Sequence, residues 1–221
     1  MKRFFQWYQY IAPAIMLPVT YWLWLRVYKN TEFVLLVMSI PVIAAYIVPA
    51  VGTNVLNLWE FNTRLRIGKF RPHHGFVFGS ATALLTFFCL ADNHAEGLGG
   101  ILQASFILAS VLGFWNWLYD TMAIKAGFLQ VFTRSYPTGS AAEIAYDYAP
   151  LYFGLFGACY GAEIKILEYY FLQCGRTDLF WGLLIFSVIA AIVLPSFGYI
   201  LISQLRYGNN GLKSYKGVDQ Q

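Results

Sequence analysis

Charged side chains are scarce in this sequence. Asp, Glu, Lys and Arg make up 12% of its 221 residues, while hydrophobic residues make up 58%. A soluble domain carries about 25% charged residues. So few charges cannot coat a globule that faces water on all sides, and we therefore expect lipid to solvate part of the chain. The composition argues against an ordinary water-soluble domain.

Cysteine and nucleotide-binding motifs are also lacking. Cys89, Cys159 and Cys174 form neither a Cys-x-x-Cys pair nor a disulfide framework, and we interpret them as small buried hydrophobic residues. No Gly-rich phosphate fingerprint occurs in the sequence, which gives no reason to expect a dinucleotide or a P-loop. We predict no cofactor and no nucleic-acid partner.

Long apolar runs are what the sequence does have. A bilayer core about 30 Å thick needs roughly 20 apolar residues per helix. Six runs qualify, at residues 10–28, 33–58, 75–91, 99–119, 144–167 and 179–203. The two-residue alternation of a barrel strand is absent, so we predict an all-α, polytopic membrane bundle of about six transmembrane helices. Gly75 with Gly79, and Gly157 with Gly161, have the spacing that lets two helices approach closely.

The distribution of Lys and Arg predicts an orientation. With the N-terminus in the cytoplasm, most of the 15 Lys and Arg residues fall on the inner side, as the positive-inside rule requires. We therefore expect a multi-pass protein of the cell's inner (plasma) membrane with both termini cytoplasmic. Residues 1–207 form the predicted transmembrane domain and 208–221 a polar, mobile tail. Glu163 and Glu168, near the outer end of the fifth run, are expected at the membrane interface.

Four carboxyl groups gather near the cytoplasmic ends of the predicted helices. They belong to Glu60, Asp120, Glu143 and Asp147. Glu143 and Asp147 are four residues apart and share one helix face. Carboxylates at membrane depth are costly and usually face the bundle interior or an aqueous cavity. We expect all four to line one chamber as catalytic groups, although Glu143 could instead complement the helix dipole and Glu60 could be an interfacial anchor.

Aromatic and polar side chains lie near these acids in the sequence. The predicted substrate-binding residues are Trp115, Trp117, Tyr119, Tyr146, Asn62 and Arg64. Aromatic faces stabilise cations, although the interfacial aromatic belt of membrane proteins is an alternative explanation for these rings. His73 and His74 are weak candidates for metal ligands, because the side chains of adjacent residues diverge in most backbone conformations.

One stretch carries a family resemblance. The pattern Tyr119-Asp120-x-x-Ala123-x-x-x-Gly127-Phe128 resembles the membrane-embedded carotenoid cyclases of the lycopene cyclase type. The resemblance covers about residues 115–155, and a fainter copy lies near 59–70, where Trp59-Glu60 precedes Gly68 and Phe70. It implies duplicated helical units and cyclisation of a polyene. It also implies a catalytic role for Glu143, the one glutamate retained here from the family's Pro-x-Glu-Glu segment.

These patterns predict an integral membrane enzyme that acts on a lipid or isoprenoid by acid/base chemistry, as a cyclase, isomerase or hydratase does. Protonation of an alkene needs a carboxylic acid that stays neutral until use. Apolar walls or a second carboxylate nearby provide this by raising a carboxyl pKa. Two alternatives stay open. One is a metal-dependent lipid transferase or phosphatase, in which His73, His74 and the carboxylates bind a divalent ion and Arg64, Arg66 and Arg71 bind a phosphate. The other is a transporter or an assembly or scaffold subunit. The oligomeric state cannot be read from the sequence.

Overall fold

The computed structural model describes residues 2–69, 71–91, 93, 95–136 and 139–216. Apart from one short two-stranded ribbon, the regular structure in these residues is helical. The elements are α1 Lys2–Ile11, α2 Leu17–Tyr28, α3 Thr31–Pro49, β1 Trp59–Phe61, α4 His74–Leu90, α5 Gly97–Lys125, β2 Leu129–Val131, α6 Ala141–Glu168 and α7 Phe180–Tyr207. The predicted all-α class is confirmed.

Three π-helical segments continue the α-helices. Ala12–Met16 joins α1 to α2, Ala50–Val55 extends α3 and Tyr169–Gln173 extends α6, while a 3₁₀ turn at Thr177–Leu179 precedes α7. The first two contain or follow a proline, which removes a backbone donor and loosens the regular hydrogen-bond ladder. Along the described residues, the chain therefore forms six long helical rods.

Three of these rods are long and apolar enough to cross a membrane. They are Thr31–Val55, Gly97–Lys125 and Thr177–Tyr207. Helix α4 is apolar but has only 17 residues, which span about 25 Å at about 1.5 Å per residue. Within the described part of the chain, three of the six predicted spans thus meet criteria of length and composition. The six-pass topology stays a prediction.

Local capping interactions explain where several rods begin and end. The Asn30 side chain accepts a hydrogen bond from the Phe33 amide at 2.9 Å, and Ser140 accepts one from the Glu143 amide at 3.2 Å. Both are side-chain caps that satisfy a free amide in the first turn. Helix α5 ends before Gly127, whose φ of +65° is a left-handed conformation that glycine adopts without strain.

Buried aromatic side chains tie distant rods together in the bundle core. The Trp24 indole donates to the Ala83 carbonyl oxygen at 3.0 Å, and the Tyr160 hydroxyl donates to the Val37 carbonyl oxygen at 2.6 Å. Both side chains are fully buried. A buried aromatic residue with a polar tip needs such a partner, and these two bonds fix the contacts of α2 with α4 and of α3 with α6.

Helices α5 and α6 approach each other closely through small residues. A Cβ atom built on Gly157 would overlap the carbonyl oxygen of Leu108, and one on Gly161 would overlap that of Ala104. A Cβ on Gly79 would likewise overlap the Val42 side chain of α3. Close helix packing at both predicted glycine pairs is confirmed.

Chain segments from four parts of the sequence meet at one end of the bundle. Strands β1 and β2 pair antiparallel, with Phe61 opposite Leu129, and so join the segment after α3 to the segment after α5. The Phe5 ring stacks on Phe128 with centroids 5.2 Å apart. We call Phe5, Ala123, Phe128 and Leu129, with the rings packed on them, the end cluster.

The segment that follows α7 packs on this same end. The Tyr215 amide donates to the Phe132 carbonyl oxygen at 2.8 Å, and the Ser214 hydroxyl donates to the Asn57 carbonyl oxygen at 2.7 Å. The described part of the predicted mobile tail is therefore held by contacts. Residues 217–221 of that tail lie outside the described residues.

The opposite end of the bundle contains Glu163 and Glu168. Glu168 accepts hydrogen bonds from the Tyr28 hydroxyl at 3.0 Å and from Lys165 Nζ at 2.7 Å. Glu163 is only 5% exposed, and its carboxylate oxygens have no hydrogen-bond partner among the described residues. The inward face of α6 carries Glu163 between packed helices, and its expected depth at the membrane interface stays a prediction.

Candidate functional site

A cavity of about 410 Å³ lies between the bundle core and the end cluster. Side chains from six of the seven α-helices and from both strands line it, and most of them are apolar or aromatic. Ile47, Val51 and Trp115 line the cavity and are also exposed on the surface, so they mark its margin. Its volume and its apolar walls are typical of sites for small organic ligands.

Asp120 of α5 and Tyr148 of α6 meet in the wall of this cavity. The Tyr148 hydroxyl donates a hydrogen bond to Asp120 Oδ2 at 2.7 Å. Asp120 is buried and, in the part of the chain that the structure describes, makes no ion pair. Tyr119, next to it, also lines the cavity and meets the Phe5 ring edge to face at 5.2 Å. A carboxyl group so placed can donate or accept a proton at the edge of an apolar volume.

Basic side chains from the segment before α4 form another part of the wall. Arg71 is 6% exposed and donates hydrogen bonds to the carbonyl oxygens of Lys69 and Phe61. Burial lowers the pKa of His73, and the positive charge of Arg71 lowers it further, so the imidazole is neutral near pH 7. The His74 ring lies 4.6 Å from the Phe61 ring.

The two histidines lack the partners of a catalytic metal site. In the described part of the chain, no group of three or more His, Cys, Asp or Glu side chains could hold a metal ion. Such a site normally takes three protein ligands. The side chains of His73 and His74 line the cavity beside Arg71, whose positive charge would also oppose a bound cation.

The four predicted catalytic carboxyl groups do not meet in one chamber. Asp120 lines the large cavity, whereas Glu60, Glu143 and Asp147 do not. The prediction of a shared chamber is therefore wrong, also for Glu143 and Asp147. The two residues share a helix face, but Asp147 is one turn deeper and is covered by the 132–136 segment, while Glu143 stays exposed.

Asp147 belongs to a buried polar network beside the cavity. Its Oδ2 lies 3.0 Å from Arg134 Nε and accepts a hydrogen bond from the Tyr136 hydroxyl at 3.0 Å. Burial raises the pKa of Tyr136, and the Asp147 charge raises it further, so the hydroxyl keeps its proton and donates. The Arg134 guanidinium also lies over the Tyr207 ring. This network holds the segment before α6 against α6 and α7.

Glu60 and Glu143 occupy the surface of the same end. Lys216 Nζ lies 2.6 Å from Glu60 Oε2, and its hydrogen bond lowers the pKa of Glu60, which is thus ionised at neutral pH. Glu143 lies in the first turn of α6, where a negative charge complements the helix dipole. These positions agree with the alternatives that the sequence left open for both residues.

The predicted substrate-binding residues divide into two groups. Trp115 and Tyr119 line the cavity. The other four lie outside its wall: Trp117, Tyr146, Asn62 and Arg64. Trp117 follows Trp115 by two residues, which turns its side chain about 200° around α5. Tyr146 is 63% exposed.

Most cavity residues, among them Tyr148, Tyr152 and Gln9, are absent from the list of predicted site residues. Tyr148 and Tyr152 are four residues apart on α6, a spacing that already places them on one face. Gln9 is a single polar residue in an apolar stretch of α1, and nothing in its local sequence distinguishes it from a surface residue. Its place in the cavity depends on how α1 packs against α4.

Comparison of the chain with protein-family models, curated proteins and solved structures gives no match. The resemblance to lycopene-cyclase-type enzymes thus stays a prediction. Its two sequence copies differ in local structure, because Tyr119-Asp120 lies in a helix and Trp59-Glu60 in a strand. Phe70 of the fainter copy lies outside the described residues.

Proposed function

We propose that this chain is a multi-pass membrane enzyme that binds an isoprenoid or lipid in the large cavity and transforms it by acid/base chemistry. Large apolar side chains exposed on the outside of the rods support the membrane location. Phe106 is 75% exposed, Trp181 70% and Leu205 76%. Water would solvate such a surface poorly, whereas lipid chains would cover it.

The proposed topology has six passes with both termini in the cytoplasm. The chain segments at the cavity end carry most of the basic residues, among them Arg71, Arg134 and Lys216. This asymmetry favours a cytoplasmic location for that end. The cavity would then lie near the inner leaflet, within reach of a substrate that enters from the membrane between the exposed margin residues Ile47 and Trp115.

The observation that carries the proposed chemistry is the Asp120–Tyr148 hydrogen bond in the cavity wall. In the proposed reaction the Asp120 carboxylic acid donates its proton to an alkene carbon, which leaves a carboxylate and a substrate cation. Aromatic walls such as Tyr119 and Trp115 stabilise that cation. Loss of a proton from a neighbouring carbon back to Asp120 gives an isomer. A cyclic product forms when a second alkene of the same chain attacks the cation before this proton loss, and a hydrate forms when water adds to the cation and then gives a proton to Asp120.

Lipid and pigment extraction tests this function. Cells that express the wild-type chain, Asp120→Asn, or no copy are extracted, and the extracts are compared by mass spectrometry. We expect a new isomeric or hydrated isoprenoid or lipid in the wild type only. Asp120→Asn should lower its amount at least about a hundredfold at equal protein level, since it removes the acid. The control Glu143→Gln changes an exposed carboxyl group and should leave the product unchanged.

Two results would contradict the proposal. If Asp120→Asn forms the same product at the wild-type level, Asp120 is not the acid. If the wild type and the empty cells have identical extracts, the chain is not this enzyme, and the transporter or assembly-subunit alternative takes its place.

A further inference from the structure

The cavity wall contains polar atoms that the acid/base step does not use. Arg71 Nε, His73 Nδ1 and Gln9 Oε1 are buried, and none has a hydrogen-bond partner among the described residues. All three residues line the large cavity. Buried polar groups are almost always satisfied, so the unsatisfied groups of this cavity wall, which also include the Tyr199 hydroxyl, indicate the place of a polar part of a ligand.

Arg71 decides which kind of polar group this is. Its side chain is charged and almost fully buried, yet it forms no ion pair with any described residue. Glu60 acts on it through its charge alone and is itself paired with Lys216. A buried charge without a counterion is costly. An anionic oxygen group would supply that counterion and would accept a charge-assisted hydrogen bond from Nε.

The neighbouring side chains suit the same kind of group. Neutral His73 can donate through Nδ1 in one of its tautomers. Gln9 Nε2 donates to the Gln6 carbonyl oxygen at 3.1 Å, which fixes the amide orientation and leaves Oε1 to accept a hydrogen bond from a hydroxyl of the head group or from a bound water. Arg71 is already fixed by its bonds to the Lys69 and Phe61 carbonyl oxygens, so little side-chain freedom would be lost on binding.

We propose that Arg71, with His73, binds the anionic oxygen group of a long-chain amphiphile whose apolar chain fills the aromatic part of the cavity. The head group is a phosphate or a carboxylate. This inference rests on the proposed function, because it names the substrate class of the same site. The Asp120–Tyr148 pair acts on the chain, and Arg71 sets the register in which the chain lies.

Binding measurements on the purified full chain in neutral detergent test the head group. Farnesyl diphosphate is compared with farnesol, which has the same chain without charge, and palmitate with hexadecanol. Inorganic diphosphate serves as the free anion. Tryptophan fluorescence reports binding, since Trp59 and Trp115 line the cavity. We expect at least one charged amphiphile to bind about tenfold or more tightly than its neutral counterpart.

Variants of Arg71 show whether this preference depends on the guanidinium. Arg71→Gln should weaken binding of the preferred charged amphiphile about tenfold and change binding of the neutral one less than about twofold. Arg71→Lys keeps the charge and should retain part of the preference for the charged amphiphile. It is the variant to measure if Arg71→Gln is unstable. Arg66→Gln is the matched control, because Arg66 is exposed in the same segment and does not line the cavity.

Three results would overturn the inference. The first is that the wild type binds charged and neutral amphiphiles with equal affinity. The second is that Arg71→Gln weakens binding of both amphiphiles by the same factor. The third is binding of inorganic diphosphate as tight as that of farnesyl diphosphate, which would indicate a free-anion site. If binding shows no preference that depends on Arg71 but Asp120→Asn loses the product, only the proposed anionic head group is wrong. If binding depends on Arg71 but Asp120→Asn forms the wild-type products, only the proposed acid/base reaction is wrong.

Discussion

The Tyr148 hydroxyl and Oδ2 of the Asp120 carboxyl group, 28 positions apart in the sequence, lie 2.7 Å apart across the contact between α6 and α5. These helices can approach so closely because Gly157 and Gly161 leave room for the backbone of α5. Close packing at the two glycines thus also brings the Tyr148 hydroxyl to the Asp120 carboxyl group, which lies farther along the same helix pair. The proposed acid and its partner depend on the same helix pair.

Tyr148→Phe should destabilise the protein. The change leaves the buried Asp120 carboxyl group without its hydrogen-bond partner, and we expect a loss of about 1–3 kcal/mol in the free energy of unfolding. Thermal unfolding in detergent measures the effect. Tyr146→Phe is the matched control, because it removes an exposed hydroxyl two residues away and should change stability by less than about 0.5 kcal/mol. Equal melting temperatures for the two variants would contradict a structural role for this hydrogen bond.

Gly157→Ala should separate α5 from α6. The added Cβ would overlap the Leu108 carbonyl oxygen, which belongs to helix backbone and cannot rotate away. We expect a loss of about 1–3 kcal/mol, typical of an overfilled core, measured by thermal unfolding. In the control Gly154→Ala, the Cβ would lie 3.5 Å from the Ala109 carbonyl oxygen, an ordinary contact. If Gly157→Ala is as stable as this control, the helix contact does not depend on Gly157.

Hydropathy alone predicts the rods of this fold well. The predicted runs 99–119 and 144–167 lie within Gly97–Lys125 and Ala141–Glu168. The residues of an apolar run follow one another in the sequence, so the sequence alone predicts where each rod lies. Close contact at the glycine pairs was also predictable, since the spacing of small residues along one helix creates the groove that a second helix enters.

The meeting of side chains from different rods was much harder to predict. Whether Asp120 faces Tyr148 or Asp147 depends on the rotation of α5 and α6 about their axes, which sequence spacing within one helix does not fix. Glu163 illustrates the same limit. Its place near a helix end did not show that the rotation of α6 buries it. The exposed position of Glu143 and the separate polar network of Asp147 follow from the same rotation of α6, whereas Glu60 lies in β1, outside the rods.

The proposed topology predicts which face of the membrane Cys174 occupies. Contrary to its interpretation as a small buried residue, this cysteine is exposed in the connection between α6 and α7, at the end opposite the cavity. In a background with Cys89→Ser and Cys159→Ser, a membrane-impermeant maleimide should label Cys174 in intact cells. In a chain that also lacks Cys174, Lys213→Cys should react only after the cells are permeabilised. The reverse labelling pattern would show that the orientation is inverted.

Asp147→Asn should affect stability and not the reaction. It removes one partner of a buried ion pair and leaves Arg134 without its counterion, for which we expect a loss of about 3 kcal/mol. We expect Asp147→Asn to have a lower melting temperature than the wild type. In the extraction experiment it should form as much product per folded protein as the wild type. Glu143→Gln, an exposed change one turn away that weakens a helix-dipole interaction, should cost no more than about 1 kcal/mol and provides the stability comparison. A normal melting temperature with no product would instead make Asp147 part of the reaction.

The ion pair between Lys216 and Glu60 predicts a pH dependence of stability at the cavity end. The hydrogen bond from Lys216 makes the folded-state pKa of Glu60 lower than its unfolded-state pKa of about 4.3. A lowered folded-state pKa adds stability above the unfolded-state value, and this stability is lost as pH falls through the folded-state value. Because the pair is partly exposed, we expect it to contribute only about 0.2–1 kcal/mol at pH 7.

Unfolding of the wild type and of Lys216→Gln by denaturant, from about pH 7 down to about pH 3, measures this contribution. The wild type should be the more stable at neutral pH, and the difference should shrink as Glu60 takes up its proton. Lys213→Gln, a change of the same charge three residues earlier in the same segment, should show no such convergence with the wild type. A difference between Lys216→Gln and the wild type that stays constant over this range would mean that Lys216 holds the segment by packing on Phe132 rather than by its bond to Glu60.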